Sequence, residues 1–458
     1  GELFPGVQAF GIELATESAR GSSQSVLNEI PAGALVEVEV EGNLHFWTTA
    51  DDLRERLADP DNPDARGVDS DGAWTLPASL DLPDARRGFY GKLALKALRW
   101  LDIHPDDALR DTIVERAQNR AVPTEGLFPV DANGSLGASL ASPIPDGGPV
   151  LILLHGTASS TTGSFSRLWT DQTEKWKALR KHFGERIYAL EHWTLTRSPI
   201  ENALRVARLL PQKGKVSLLS HSRGGLVGEM LCLDPGSFDL NGALAALDAE
   251  KANNASESRA IDSQKADLRE LLDELFKRPA LSIDRFVRAA CPSRGTSLAG
   301  DKLDKFSSLL VLAAIGLEMK ESGKRSFGGP VGKLIGIGVD TLWETVAAVL
   351  TSRRRPDELP GLQAMMPGSS LVSIINTAPA RGELFVIAGD AAPVEGDRLA
   401  ALRIWLADRF YERDHDLVVD TRSMLDGARR TSAAEGLRCK VQFRSGADVN
   451  HFSYFRND

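Results

Sequence analysis

Cysteine is scarce. Cys232, Cys291 and Cys439 are the full complement in 458 residues, an odd number at wide spacing with no metal-ligand or redox pair among them. That excludes a disulfide framework and a cysteine zinc site, and it fits a reducing, cytoplasmic compartment. Surplus positive charge is lacking as well: the formal net charge is −9 and the isoelectric point about 5.6. Neither nucleic acid nor a polybasic membrane anchor is expected from that balance. No basic segment followed by an apolar run opens the chain, although Gly1 stands where a methionine would, which leaves room for a removed leader. Uninterrupted apolar runs of membrane length are also missing. Val331–Leu350 comes nearest, and Lys333, Asp340 and Glu344 interrupt it, so a buried or amphipathic helix is expected there.

What is present is an ordinary soluble composition, 42% hydrophobic and 26% charged, on a chain longer than one hydrophobic core usually fills. One large domain with a smaller one or a cap is expected. The organising stretch is Val216-Ser217-Leu218-Leu219-Ser220-His221-Ser222-Arg223-Gly224-Gly225, an apolar run that breaks into small residues and resumes as an amphipathic helix. Ser222 stands at the turn, with Ser220 two residues before and Gly224 two after. This small-x-Ser-x-small pattern is that of a nucleophile elbow, with serine in place of the usual first glycine. A strained strand-to-helix turn brings positions two before and two after close together, so both must be small. A surface Ser-Arg-Gly-Gly loop after a core strand is the plainer alternative, and the strand, turn and helix around the pentapeptide favour the elbow.

Residues 1–140 read as a small α+β module. Val36–Glu41 alternates valine with glutamate, turns at Gly42-Asn43 and resumes at Leu44, Phe46 and Trp47, a period-two hairpin. Lys92–Leu101 and Asp106–Gln118 have helical spacing. His45 and His104 stand alone, without metal-site spacing. From 141 the character changes. Val150–Leu154 is a continuous apolar run of the kind buried on both faces of a parallel sheet, and it ends in His155-Gly156-Thr157. A strand running into a small-residue loop is what an oxyanion loop requires, with the Thr157 N–H as donor. Helical Trp169–His182, strand Arg186–Leu190, helical Pro199–Leu210 and the elbow strand follow, an alternation that predicts a doubly wound, mostly parallel α/β sheet with its site at the strands' carboxyl ends.

Helical cap or lid insertions are expected near 234–283 and 297–360, the first with Leu268, Leu271, Leu272, Leu275 and Phe276 on one face and the second unusually apolar. Plain core packing explains these helices equally well. Strands Phe286–Cys291 and Leu384–Ala388 frame the second insertion, and Asp390, Asp416 and His451 follow. The order serine, acid, histidine is that of the α/β-hydrolase triad.

Together, Val150–Thr157, Ser220–Gly224, Val287–Thr296, Asp416–Val419 and His451 resemble the α/β-hydrolase superfamily, in particular its lipase and serine-esterase branch. The Ser-His-Ser-Arg-Gly-Gly elbow is similar to that of a group of poorly characterised bacterial hydrolases. The resemblance covers residues 149–458. It implies Ser222 as nucleophile, His451 as general base, and the Thr157 and Arg223 N–H groups as oxyanion donors. For the acid it offers Asp416, in an Asp-x-Val-Val loop before a helix, or Asp390, after the preceding strand; Asp416 is preferred because the acid must face the histidine, and Asp414 is a poor third. His221 and His155 are read as structural. The function implied is a serine hydrolase, carboxylesterase- or lipase-like, needing neither metal nor organic cofactor. Its partner would be an ester or lipid-like small molecule, and both transient membrane contact and a protein partner docking on residues 1–140 are compatible with it. An amidase, peptidase or thioesterase on the same triad is the second reading. A gated effector or binding protein is the third.

Overall fold

The computed structural model describes residues 121–250, 255–296 and 359–392 without interruption, 414–425, 439–446 and short pieces up to 456, and chiefly strands before residue 121. The expected second insertion at 297–360, Val331–Leu350 included, lies outside the described residues almost entirely. The chain divides into two compact units, one of which contains Gly1–Glu115 and the other Arg116–Asp301, Arg355–Ala392 and Arg413–Asp458.

The first unit holds a five-stranded antiparallel sheet built from β1 (Val7–Glu13), β2 (Leu35–Val40), β3 (Leu44–Thr49), β4 (Ser79–Leu82) and β5 (Gly91–Ile103). The alternating β2 pairs with β3 as its pattern predicts, and Val36 and Val38 are fully buried. Lys92–Leu101, expected as a helix, is instead most of β5, paired with β1, β2 and β4. A register shift opposite Glu39 and Val40 explains the misreading. The bulge moves the alternation by one, so apolar residues fall at Leu93 and Leu95 and then at Leu98 and Trp100, a spacing that imitates a helix. Leucine, alanine and lysine add helical propensity, and strand partners on both edges override it.

The second unit is organised on a seven-stranded sheet: β6 (Gly126–Pro129), β7 (Val150–Leu154), β8 (Ile187–Glu191), β9 (Lys213–His221), β10 (Ala280–Ala289), β12 (Glu383–Ala391) and β14 (Cys439–Gly446), in the order β14-β12-β10-β9-β7-β8-β6. The short strands β11 (Pro379–Ala380) and β13 (Arg429–Arg430) pair separately. All neighbours in the large sheet run parallel except β6, which is antiparallel to β8. The order and directions are those of the α/β-hydrolase fold. Residues 126–129, expected in the N-terminal module, are thus an edge strand of this sheet, and the unit boundary falls at 115 rather than 140. Four residues ending in proline carry too little pattern to announce a strand.

Strands β7 and β8 are buried at every position, as continuous apolar runs covered on both faces should be. Helices α1 (Thr161–Thr170), α2 (Thr173–Phe183), α3 (Pro199–Leu209) and α4 (Gly224–Leu231) flank them. Local sequence starts α3 at a defined point: Ser198 caps it by accepting from the Glu201 N–H, and Pro199 occupies the first turn. Because β8 lies to one side of β7 and β9 to the other, the chain reverses direction across the sheet at β7. The crevice at such a switch point opens at the carboxyl ends of β7 and β9.

Helices α5 (Leu240–Asp248) and α6 (Ala255–Phe276) occupy the region expected to hold the first insertion, followed later by α7 (Pro360–Gln363), α8 (Ser370–Thr377) and α9 (Thr421–Leu425). Helix α6 lies along α3 and buries Leu268, Leu271, Leu272 and Leu275, while Phe276 is 68% exposed. One charge pair sits deep in this unit. Arg288 on β10 and Glu229 on α4 are both fully buried and hydrogen-bonded to each other, and Arg288 also donates to the Met424 carbonyl of α9 at 3.0 Å. It ties α4, the central sheet and α9 together. Truncation to Glu229→Ala leaves a buried guanidinium without its carboxylate and should cost about 3–5 kcal/mol, read as a lowered urea midpoint.

Candidate active site

Strand β9 ends at His221 and α4 begins at Gly224, leaving Ser222 and Arg223 to make the whole turn. Ser222 has φ +52°, in the left-handed region, a conformation that costs a non-glycine residue about 1–3 kcal/mol and persists only where neighbours enforce it. Its N–H donates to the Ala289 carbonyl of β10 at 2.9 Å, and its own carbonyl accepts from the Gly225 N–H at 2.9 Å. Ser220, where the usual pattern has glycine, is fully buried. Gly224 admits no side chain, since a Cβ there would stand 2.2 Å from the Leu154 carbonyl oxygen and 2.6 Å from that of His155. The helix start is pressed against the end of β7.

That end of β7 carries the second part of the site. The Gly156 N–H donates to Ser164 Oγ at 3.3 Å and the Ala158 N–H to Thr194 Oγ1 at 2.8 Å, with Ala158 at φ +54°. The Thr157 N–H lies between these two tethered amides. Among the described residues, neither it nor the Arg223 N–H has a hydrogen-bond acceptor. His155 braces the loop: it is stacked on His192 with ring centroids 4.0 Å apart, its Nδ1 bonds the Gly156 carbonyl at 3.0 Å, and its Nε2 accepts from the His192 N–H at 3.2 Å.

The Arg223 side chain has a separate task that the sequence did not announce. It is fully buried, and its guanidinium donates to the Gly361 carbonyl at 3.1 Å and the Arg197 carbonyl at 2.5 Å. Burial pulls its pKa down to about 9, which leaves the cation in place at neutral pH. The residue after Ser222 thereby fastens the elbow to the loop following β8 and to α7.

The third part comes from beyond β12. His451 Nδ1 lies 2.8 Å from Asp416 Oδ2, and both side chains are buried. Asp416 Oδ1 accepts from the N–H groups of Val418 at 3.1 Å and Val419 at 2.8 Å, around a turn in which Leu417 has φ +81°. The Asp416 carbonyl accepts from the His451 N–H at 2.9 Å. Burial alone would raise the carboxyl's pKa, but the charge and hydrogen bond of His451 and the two backbone donors outweigh it and hold Asp416 below the ordinary value. Asp390, the other acid expected, accepts instead from the His415 N–H at 3.4 Å and Ser445 Oγ at 3.2 Å. Asp414 is exposed.

Two more side chains join the group without having been singled out for it. His221 Nε2 lies 2.7 Å from the His451 carbonyl oxygen, so the residue before Ser222 holds the main chain of His451. Tyr454 donates its hydroxyl to Asp416 Oδ2 at 3.0 Å. Among the described residues no group of three His, Cys, Asp or Glu side chains is placed to hold a metal ion. No described helix is long and apolar enough to cross a membrane.

Residues 109–244 and 267–458 match the family described as "Domain of unknown function (DUF7379)". The chain belongs to that family. No curated protein matches it. Solved structures similar to it include lipase 1 from Pelosinus fermentans, at 12% identity and a TM-score of 0.37 over 68% of this chain and 94% of that one. Carboxylesterase CesB (YbfK) from Bacillus subtilis is similar at 11% identity and a TM-score of 0.27, over 77% and 93%. The enol-lactonase from Burkholderia xenovorans LB400 is similar at 14% identity and a TM-score of 0.26, over 67% and 86%.

The buried imidazoles make stability pH-dependent in a stated direction. Burial and the neighbouring His451 hold His221 at about 3, and burial holds His155 and His192 below the ordinary 6.5. In the unfolded chain these rings take up protons below about pH 6.5 while the folded chain does not, so stability is full above that pH and falls as the pH drops toward 3. His221 alone contributes a slope of up to roughly 1.4 kcal/mol per pH unit. Urea midpoints measured between about pH 7.5 and pH 5 should fall steadily, and His221→Gln should flatten the slope.

Proposed function

We propose that this chain is a serine hydrolase of the carboxylesterase or lipase kind, forming an acyl-enzyme on Ser222. The observation that carries the reading is the Asp416–His451 hydrogen bond, which together with His221 ties the histidine to an elbow that holds serine in a left-handed turn. In this reading the Ser222 hydroxyl adds to an ester carbonyl as His451 Nε2 takes its proton, with Nδ1–H kept on Asp416 so that the tautomer is fixed. The oxygen that gains charge is met by the Thr157 and Arg223 N–H groups, which need not give up other partners to receive it. Collapse of the adduct breaks the bond to the alcohol, which leaves with the proton from His451. Water then repeats the sequence and releases the acid.

The apolar composition of the sequence at 297–360 favours an ester with a hydrocarbon acyl group. Amides and thioesters would use the same groups, so substrate panels distinguish them and no residue of the triad does.

A fluorophosphonate probe should label the native chain, and Ser222→Ala should abolish labelling. On p-nitrophenyl esters of graded chain length, Asp416→Asn should lower kcat by about 10³- to 10⁴-fold through loss of the correct tautomer. Asp390→Asn, which keeps an acceptor for its own neighbours, should stay within about threefold of native. Labelling that survives in Ser222→Ala, or a larger loss from Asp390→Asn than from Asp416→Asn, would overturn the assignment.

A further inference from the structure

We propose that Tyr454 is a positioning residue that sets how much of the Asp416 charge the His451 ring receives. The inference rests on the triad proposed above. Asp416 has two oxygens with different duties: Oδ1 is held by the Val418 and Val419 N–H groups, while Oδ2 accepts both from His451 Nδ1 at 2.8 Å and from the Tyr454 hydroxyl at 3.0 Å. Two donors on one carboxylate oxygen compete. Each polarises the lone pairs that the other uses, so the phenol weakens the bond to the imidazole while fixing the oxygen's place.

The arrangement is built rather than incidental. Strand β12 passes beside the hydroxyl at Gly389, where a Cβ would stand 2.6 Å from the Tyr454 oxygen; any other residue there would push the phenol off Asp416. Met424 Sδ, 3.6 Å from the same hydroxyl, is the competing acceptor, and a carboxylate is much the stronger. Burial, followed by the charge of Asp416, raises the phenol's pKa well above its ordinary value, so it remains a donor throughout the working range. Described titratable groups at the His451 ring include Asp416 from its loop and His221 from β9, with ring centroids 4.9 Å apart, while Tyr454 reaches the ring through Asp416. The charge of Asp390 on β12 also disfavours loss of the Tyr454 proton.

Removing the hydroxyl leaves more negative charge on Oδ2 to hold the protonated imidazole. The acid limb of the kcat/KM profile should therefore move to higher pH in Tyr454→Phe, by about 0.5–1 unit, and kcat at neutral pH should fall about three- to tenfold with KM unchanged. Replacement of Tyr454 by 3-fluorotyrosine, nearly the same in shape but a stronger donor, should move the limb the other way. A readout independent of turnover is the far-downfield proton resonance of the Nδ1–H to Asp416 bond. It should be present in the native chain, absent from His451→Gln, shifted further downfield in Tyr454→Phe and upfield in the fluorotyrosine protein.

A resonance and limb that stay put in both Tyr454 variants would overturn the inference while leaving the Ser222 labelling, and the proposed function, intact. A native chain that resists the fluorophosphonate while its resonance shifts as stated would do the reverse.

Discussion

The closeness of α4 to the end of β7 is the constraint on which the site depends. With no Cβ at 224, the helix start can lie against the Leu154 and His155 carbonyls. That contact fixes where the turn must be made, and only two residues are left to make it, so Ser222 is driven into the left-handed region. The loop that carries Thr157 is packed against the turn as well, since a Cβ at Gly156 would stand 2.9 Å from Ser222 Cβ. The proposed nucleophile and oxyanion donors would thus come from one steric fact, and the strain at Ser222 is held by its hydrogen bonds to β10 and α4.

Asp416 and His451, the proposed acid and base, reach the site by a different route. Their segment touches the elbow through the His221–His451 bond and is held internally by the Asp416 carboxylate, which gathers His451, Tyr454 and two backbone amides. None of these contacts is local in the way a helix cap is. Asp416 and His451 are 35 residues apart, and His221 and His451 are 230. The buried Arg288–Glu229 pair joins α4, β10 and α9, so the same charge pair steadies the helix behind Ser222 and the helix that follows the Asp416 loop.

The parts legible in the sequence are those whose physics is local. The elbow announces itself because a tight turn demands small residues at fixed offsets, and β7 does so because a strand covered on both faces is a continuous apolar run. The 91–103 strand was hidden by a bulge that makes its apolar spacing helical, and β6 by its shortness. Asp416 and Asp390 looked alike because both adjoin apolar runs, Asp390 after Leu384–Ala388 and Asp416 before Leu417–Val419; what separates them is the direction of a carboxylate, and that is set by the turn at Leu417. Tyr454 gave no signal, since its contact is a hydroxyl that reaches Asp416, 38 residues away, through space left open by Gly389.

Arg223 answers two constraints at once. Its main-chain amide would be supplied by any residue except proline. Its buried guanidinium, by contrast, holds two carbonyls from separate segments, a geometry that a long planar cation meets and a shorter or neutral side chain does not. A library randomised at position 223 would therefore sort its members by how well they hold these two segments, and would say almost nothing about the amide beside Ser222. Scanning by side-chain replacement at this position measures architecture, and a probe of the amide itself requires backbone ester substitution.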